Sequence, residues 1–516
     1  MVTTDLVVFV LLCTISIFVE SARILCVFPT PSISHQVVFR PLTLELARRG
    51  HEVVVITTDP VFPKGSTPEN YTEIDVHDLS YSKWNRMLQQ INPELRGTLA
   101  QIEIIMKEMT TIFTEEVKTK EVQNVLSYRN DYFDLLLTES CSRPALGFSH
   151  IFKAPVIQIS SLGATLNNFE HMGIPEHPIL YPNVVKQKLY NLTMWEKIIE
   201  LKKEFELRRM LERTESYENE YMKTIFGADV PPIKELYKNV HMLFVNFHPI
   251  WDHNRPVPPG VIYMGGVHQK PQKELPEDLK SYLDTSKNGV IYFSLGTNVK
   301  TSNVPIEKLL IFTKVFSKLP YDVLWKWDDD ELPGRSKNIK ISKWLPQSDL
   351  LRHPNIKLFI TQGGLQSTDE AITAAVPLIG IPMLGDQWYN VEKYVHLKIG
   401  IRLDIENLTE DIFEDAIKTI INNKSYRDNI IKLRNVMHDQ PQSPLDRAVW
   451  WTEYVLRHGG ASHLRSPGAG ISWAEYLELE LVFTVITVLV LTSAILFIAV
   501  KKILNSVQFT FKTKLA

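Results

Sequence analysis

Two glycines, Gly363-Gly364, follow the apolar run Leu358 to Thr361 with only Gln362 between. Glu370, Pro377, Pro382 and Asp386-Gln387 come after them, spaced around a second apolar run, Leu378 to Ile381. Each residue type has a chemical use. Adjacent glycines let backbone N–H groups and a helix N-terminus approach an anion such as a diphosphate. Glu370 can accept hydrogen bonds from vicinal hydroxyls, and Asp386 and Gln387 can do so from a second polyol. Diphosphate, ribose and sugar together make a nucleotide sugar. Ser294-Leu295-Gly296-Thr297 adds a glycine and hydroxyls suited to a phosphate or the attached sugar. Trp344 and Gln347 set an aromatic plane beside an amide, a pair that can stack on a pyrimidine and read its carbonyls, although most tryptophans are simply core.

Moving a sugar onto a hydroxyl also needs a base, which takes the proton as the oxygen attacks. A neutral histidine does this near pH 7, and a carboxylate behind it fixes the tautomer. His35 follows the first apolar run, Arg23 to Pro29, at the start of a helix-like segment. The run Phe133 to Glu139 supplies the partner. Glu139, at the end of that run, is long enough to reach His35, and the competing acid, Asp134 at its other end, reads as a structural group.

The elements that must position these residues are α/β units. Ser34 offers an N-cap to His35–Arg49, Gly50 ends that helix, Pro41 interrupts its ladder, and Val53 to Thr57 is the next strand. Leu135 to Thr138 and Val156 to Ile159 are further strands, with helical segments at Gln101 to Lys120 and Trp195 to Glu212. Val261 to Gly266 closes the first half. Gln269 to Asn288 reads as an exposed linker. A second winding runs through strand Val290 to Ser294, helix Val304 to Leu319, and strands Val323 to Lys326, Leu358 to Thr361 and Leu378 to Ile381. In such sheets ligands bind beyond the carboxyl ends of the strands. The fold class expected is α/β, with two Rossmann-like halves facing a cleft.

The stretch Phe359 to Gln387 resembles the signature of the UDP-glycosyltransferase family. Ser294 to Thr297 and Trp344-Leu345-Pro346-Gln347 resemble its donor-site segments. Ser34-His35, Arg40-Pro41 and Arg49-Gly50-His51-Glu52-Val53 resemble its N-terminal catalytic segment, and Pro444 to Trp451 resembles its return helix. The chain is most similar in pattern to membrane-anchored, inverting animal members, the invertebrate ones in particular. The resemblance implies a GT-B fold and transfer of a sugar from a UDP-sugar to a hydroxyl of a small lipophilic acceptor. It implies His35 as base with Glu139 behind it. Trp344 and Gln347 fall to the uridine, and Ser294, Gly296 and Thr297 to the diphosphate and sugar. Gln362, Gly363, Gly364, Gln366, Ser367, Glu370, Asp386 and Gln387 complete the donor site. Two positions depart from the pattern: Gln362 stands where most members carry His, and Glu139 where most carry Asp. Glutamine cannot become cationic, so diphosphate binding leans more on backbone N–H groups and Ser367. Glucose is the expected sugar, because the signature carries no added cation for a sugar carboxylate. Alternatives are a transferase dedicated to one endogenous lipid or steroid, and a catalytically silent UDP-sugar-binding subunit. UDP-glucose, or another UDP-sugar, is a co-substrate, and no cofactor or metal is called for.

Composition agrees with an ordinary globular protein that has added membrane signals. The 516 residues carry a formal net charge of −3 without a basic block, which argues against nucleic acid. No Gly-x-Gly-x-x-Gly fingerprint supports a nicotinamide or flavin enzyme. Leu6 to Val19 is apolar and reads as a signal peptide ending near residue 21, the alternative being a buried first element. Leu481 to Val500 is uncharged and followed by Lys501 and Lys502, as a single transmembrane helix with a cytosolic basic tail would be. The expected divisions are therefore signal 1–21, acceptor-binding domain 22–266, linker 267–288, UDP-sugar domain 289–438, return segment 439–478, span 479–500 and tail 501–516. Lys512 and Lys514 resemble a dilysine retrieval signal, which points to the endoplasmic-reticulum membrane with the catalytic domains lumenal. Asn70, Asn191, Asn407 and Asn423 head glycosylation sequons. Cys26 and Cys141 are either a disulfide or two separately buried thiols, the second being favoured. A homo-oligomer is compatible with all of this.

Overall fold

RILCVF (β1, Arg23–Phe28) and EVVVIT (β2, Glu52–Thr57) are short runs rich in β-branched residues, buried after their first residue. Such runs carry no alternation because both faces of a parallel sheet are covered. The computed structural model describes residues 21–90, 98–164, 167–174, 176–297 and 304–515. The expected signal segment, with Cys13, lies outside the described residues except for residue 21.

The first sheet is wholly parallel, in the order β3-β2-β1-β4-β5-β6-β7. Its further strands are β3 (Tyr71–Asp75), β4 (Leu135–Glu139), β5 (Val156–Ser160), β6 (Val240–Val245) and β7 (Val261–Tyr263). The second sheet is also parallel, in the order β10-β9-β8-β11-β12-β13. It consists of β8 (Val290–Ser294), β9 (Asp322–Lys326), β10 (Ile339–Ser342), β11 (Ile356–Thr361), β12 (Leu378–Gly380) and β13 (Gly400–Arg402). In each sheet the strand order reverses once along the chain, between β1 and β4 and between β8 and β11. Such reversals open a crevice at the carboxyl ends of the strands.

The helices that matter to those crevices are α1 (Ile33–Arg48), α2 (His77–Gln90), α3 (Leu99–Val117), α4 (Met194–Phe226), α5 (Glu277–Thr285), α6 (Leu365–Ala374), α7 (Gln387–His396), α8 (Pro444–Arg457) and α9 (Leu479–Leu515). Helix α1 starts two residues earlier than expected. Its N-cap is Ser32, and Ser34 lies within the first turn, its hydroxyl 2.9 Å from that of Ser32. Pro41 sits inside α1 without ending it. Helix α4 runs far past Glu212, started by a capping box between Thr193 and Glu196. The segment read as an exposed linker contains α5, whose Leu279 and Leu283 are buried in the core of the second half. Strands β3, β6, β10 and β13 went unread in the sequence, being short or interrupted by polar residues.

Each sheet is packed on both faces by apolar clusters. Helix α8, from the C-terminal region, lies on the first half. Its Ala448, Val449 and Val455 share a cluster with Val38, Leu42 and Leu46 of α1, and Glu453 accepts from Arg49 at 3.2 Å. Among the described residues, Leu479–Gln508 of α9 is the one helical stretch long and apolar enough to cross a membrane. None of its most apolar 18-residue stretch is buried. The helix continues through Lys501 and Lys502 without a break.

Candidate active site

The crevice at the β1/β4 reversal holds a titratable pair. The backbone leaves β1 through a Pro-Thr-Pro-Ser loop and turns into α1, which places His35 in the first turn. Glu139 is the last residue of β4 and is fully buried. His35 Nδ1 lies 2.6 Å from Glu139 Oε1, and the Thr30 amide donates to Glu139 Oε2 at 3.2 Å. Because a carboxylate only accepts, the ring proton belongs on Nδ1, which leaves the Nε2 lone pair available as a base. The His35 side chain is 14% exposed, so solvent and ligands reach the ring. Gln36 fixes the turn behind it: its amide donates to the Phe28 and Thr30 carbonyls and to Thr58, and it accepts from Thr57. Asp134 instead accepts from the Arg23 amide at 2.7 Å, a structural bond at the far end of the strand.

The crevice at the β8/β11 reversal is built from backbone. Ser294 and Thr361 are register partners, as are Thr361 and Gly380, so three loops leave the sheet at one level. In the first, Gly296 has φ +79, and a Cβ there would meet the Gln362 amide nitrogen at 2.2 Å. In the second, Gly363 has φ +93, and a Cβ would meet Val391 at 2.5 Å. Both positions therefore demand glycine. Gly364 then caps α6, whose first-turn N–H groups have no partner within the helix and point along the positive end of its dipole.

Polar side chains surround this cradle. Gln347 donates to Ser367 Oγ at 2.9 Å and to Glu370 Oε2 at 2.7 Å, and accepts from the Tyr292 hydroxyl. Both its amide protons are engaged, so Gln347 braces Glu370. Burial pushes the Glu370 carboxyl up to about 7, opposed by the Gln347 bond. Gln387 accepts from the Met383 and Leu384 amides at 2.7 and 2.8 Å, so its carbonyl oxygen shapes the loop and is not left facing a sugar. Asp386 accepts from Asn390 at 2.8 Å. Burial pushes its carboxyl up to about 6, held back by Asn390 and by the nearby His35. That last influence brings the third loop of the second half within electrostatic reach of His35. Gln366 reaches across as well, donating to the Ser161 carbonyl at 2.8 Å. Trp344 is 66% exposed. With Thr297 it lines a cleft of about 300 Å³ whose other wall is Ile33, Trp84, Leu88 and the polar groups Asp59, His77 and Tyr81.

Two residues here escaped the sequence reading. Asn390 joins Trp251, the Gly363 carbonyl and Asp386, tying the loop of the first half to both donor loops. Its place four residues after Asp386 on a helix was the available signal. Lys326 ends β9 with its amine 3.1 Å from the Gly296 carbonyl, a buried cation beside the glycine loop. A lysine closing an apolar strand at the carboxyl edge of the sheet marks such a site.

Elsewhere, the Asn70 amide donates to the Ala47 and His51 carbonyls, and a glycan on that nitrogen would remove one of the two donor hydrogens. Asn191, Asn407 and Asn423 are exposed. Cys26 and Cys141 are both thiols, Cys26 buried and Cys141 half-buried.

Three comparisons bear on this arrangement. The family model described as UDP-glucoronosyl and UDP-glucosyl transferase matches residues 23–515. An ecdysteroid UDP-glucosyltransferase of Spodoptera littoralis nuclear polyhedrosis virus is 37% identical, over 90% of this chain and 93% of its own. UDP-glucosyltransferase 2 of Dactylopius coccus is 33% identical, over 90% and 89%. Among solved structures, UDP-glucose: anthocyanidin 3-O-glucosyltransferase in complex with UDP superposes with TM-score 0.59 at 16% identity, covering 85% of this chain and all of that one. Arabidopsis thaliana UGT89C1 complexed with UDP-L-rhamnose gives 0.56 at 16%, covering 85% and 99%. At these identities the structures bear on fold alone, and that fold is GT-B.

Proposed function

The chain belongs to the UDP-glucoronosyl and UDP-glucosyl transferase family, and from that premise we propose that it transfers glucose from UDP-glucose to a hydroxyl of a small lipophilic acceptor, with inversion at the anomeric carbon. The observation that carries this reading is the 2.6 Å pair of His35 and Glu139 at the cleft, with Asp386 of the donor half close enough to feel the imidazole. His35 Nε2 takes the acceptor proton as its oxygen attacks C1, and Glu139 stabilises the imidazolium that forms. UDP leaves on the opposite side, its diphosphate received by the first turn of α6, Ser367 and the Gly296 loop. Glu370 accepts from the ribose and Trp344 stacks on the uracil. Asp386 accepts from the sugar hydroxyls.

Glucose is supported by the relatives, which are UDP-glucosyltransferases by name. Those names also favour a narrower second reading, a transferase for steroid hydroxyls, since several relatives are ecdysteroid UDP-glucosyltransferases. In either case α9 anchors the enzyme in the endoplasmic-reticulum membrane. The catalytic halves are lumenal, residues 1–21 are removed as a signal, and Lys512 and Lys514 act in retrieval. An anchored cleft meets apolar acceptors at the concentration they reach in lipid.

The test is full-length chain in membranes supplied with UDP-glucose and a panel of phenols, sterols and ecdysteroids, with mass spectrometry of the products. β-Glucosides are expected. UDP binding without product from any UDP-sugar would overturn the reading in favour of a silent subunit.

A further inference from the structure

Cys141 has no part in the transfer just described, yet it stands beside it. One ligand atom each from His35, Glu139 and Cys141 lie within 4.8 Å of one another. Glu139 closes β4 and Cys141 lies in the turn beyond it, with only Ser140 between them, and His35 comes from α1. Imidazole nitrogen, carboxylate oxygen and thiolate sulfur are the three donor types that protein zinc sites use, and a thiolate selects for the softer metals. On a tetrahedral zinc such atoms sit roughly 3.4–3.6 Å apart, so the sulfur must close in and the His35–Glu139 contact must open by roughly 0.8 Å. His35 is the member free to move, being partly exposed, whereas Glu139 is held by the Thr30 amide. One carboxylate and one thiolate neutralise a dication, which suits a half-buried position. The cleft supplies water as fourth ligand.

We propose that His35, Glu139 and Cys141 form an inhibitory site for a soft divalent cation such as Zn2+, so that the enzyme's base doubles as a metal ligand. Binding releases the thiol proton of Cys141 to solvent, while the single proton of the neutral His35 ring moves from Nδ1 to Nε2 if the metal takes Nδ1 and stays on Nδ1 if the metal takes Nε2. A metal on Nδ1 leaves the one remaining ring proton on Nε2, and a metal on Nε2 occupies that lone pair directly. Either way the imidazole can no longer accept the proton of an attacking hydroxyl. The donor half is untouched, so UDP still binds while transfer stops. The inhibitory consequence rests on the function proposed above, but the metal site does not.

The experiment therefore has two arms, both on full-length protein in detergent. In the first, Co2+ is titrated in without any sugar nucleotide. A near-ultraviolet thiolate-to-cobalt charge-transfer band is expected, displaced by Zn2+ and lost in Cys141→Ser, while that variant still binds UDP and so is folded. Burial keeps the Cys26 thiol protonated and out of reach of the metal. Absence of the band, or its persistence in Cys141→Ser, overturns the site. In the second arm, Zn2+ inhibits transfer from UDP-glucose, and Cys141→Ser raises the half-inhibitory Zn2+ concentration roughly tenfold or more, as loss of a metal's supporting partner does. Cys141→His, which keeps a ligand, restores sensitivity without the thiolate band. Equal sensitivity of the native chain and Cys141→Ser overturns the inhibition. Should no UDP-sugar be turned over at all, the functional reading fails and the cobalt arm still decides the metal site.

Discussion

The two halves solve one topological problem with opposite chemistry. Each is a parallel sheet whose strand order reverses once, and each opens a crevice at the reversal. In the first half that crevice is filled by side chains that exchange protons: an imidazole in the first turn of α1 and a buried glutamate closing β4. In the second half two loop positions are cleared of side chains. Gly296 and Gly363 adopt positive φ where a Cβ would collide, and backbone N–H groups at the start of α6 face the space. A reversal supplies a place, and the residue types at the strand ends decide whether it becomes a base or an anion cradle. On the function proposed above, that division separates catalysis from donor binding, so each should be open to damage alone.

The largest effect should come from the first crevice. His35→Ala is expected to lower kcat by roughly 10²–10⁴, the range for a general base, with UDP affinity unchanged. Calorimetry beside a product assay separates the two. In the second crevice, Gly363→Ala places a methyl group against Val391 at positive φ, a strain of roughly 1–3 kcal/mol. Thermal unfolding should fall and UDP affinity with it. Pairing the change with Val391→Ala relieves the collision but not the φ, so recovery should be partial.

Acidity gives a third contrast. Burial holds Glu370 neutral up to about 7, and it serves ribose hydroxyls best as the ionised acceptor. UDP affinity should therefore weaken as pH falls below about 7, by at most roughly tenfold per pH unit, with a proton released on binding. Above that pH the group is ionised and affinity levels off. Calorimetry in buffers of different ionisation heat detects the proton, and Glu370→Gln should abolish both effects. The smallest change is expected from Trp344→Ala: loss of one stacking contact, about 0.5–1.5 kcal/mol, raises KM for the UDP-sugar with kcat and stability held, since the ring is mostly exposed.

Much of this was legible in the chain, for unequal reasons. β1, β2, β4, β5, β8, β11 and β12 are apolar runs closed by glycine, proline or polar residues, and local pattern suffices for them. β10 and β13 are short and carry Lys340 and Arg402, so only pairing with a neighbour makes them strands. Helix α5 was hidden because its apolar positions are just Leu279 and Leu283 among charges. At the site, glycine spacing marks the cradle at the second reversal because φ and close approach leave no alternative there. The partners of Gln347 and Gln387 could not be read, since an amide beside a pocket can face the ligand or brace a neighbour. That choice depends on Tyr292, Glu370 and the Met383 and Leu384 amides, which tertiary structure brings to it. Asn390 and Lys326 matter through partners distant in sequence, Trp251 and Gly296.

The division of labour is tested most directly by measuring UDP dissociation constant and single-turnover rate on the same preparation of His35→Ala. The account predicts UDP bound as tightly as by the native chain, with glucoside formation lowered by roughly 10² or more. Glucoside formed at the native rate, or a loss of UDP affinity matching the loss of turnover, would contradict it.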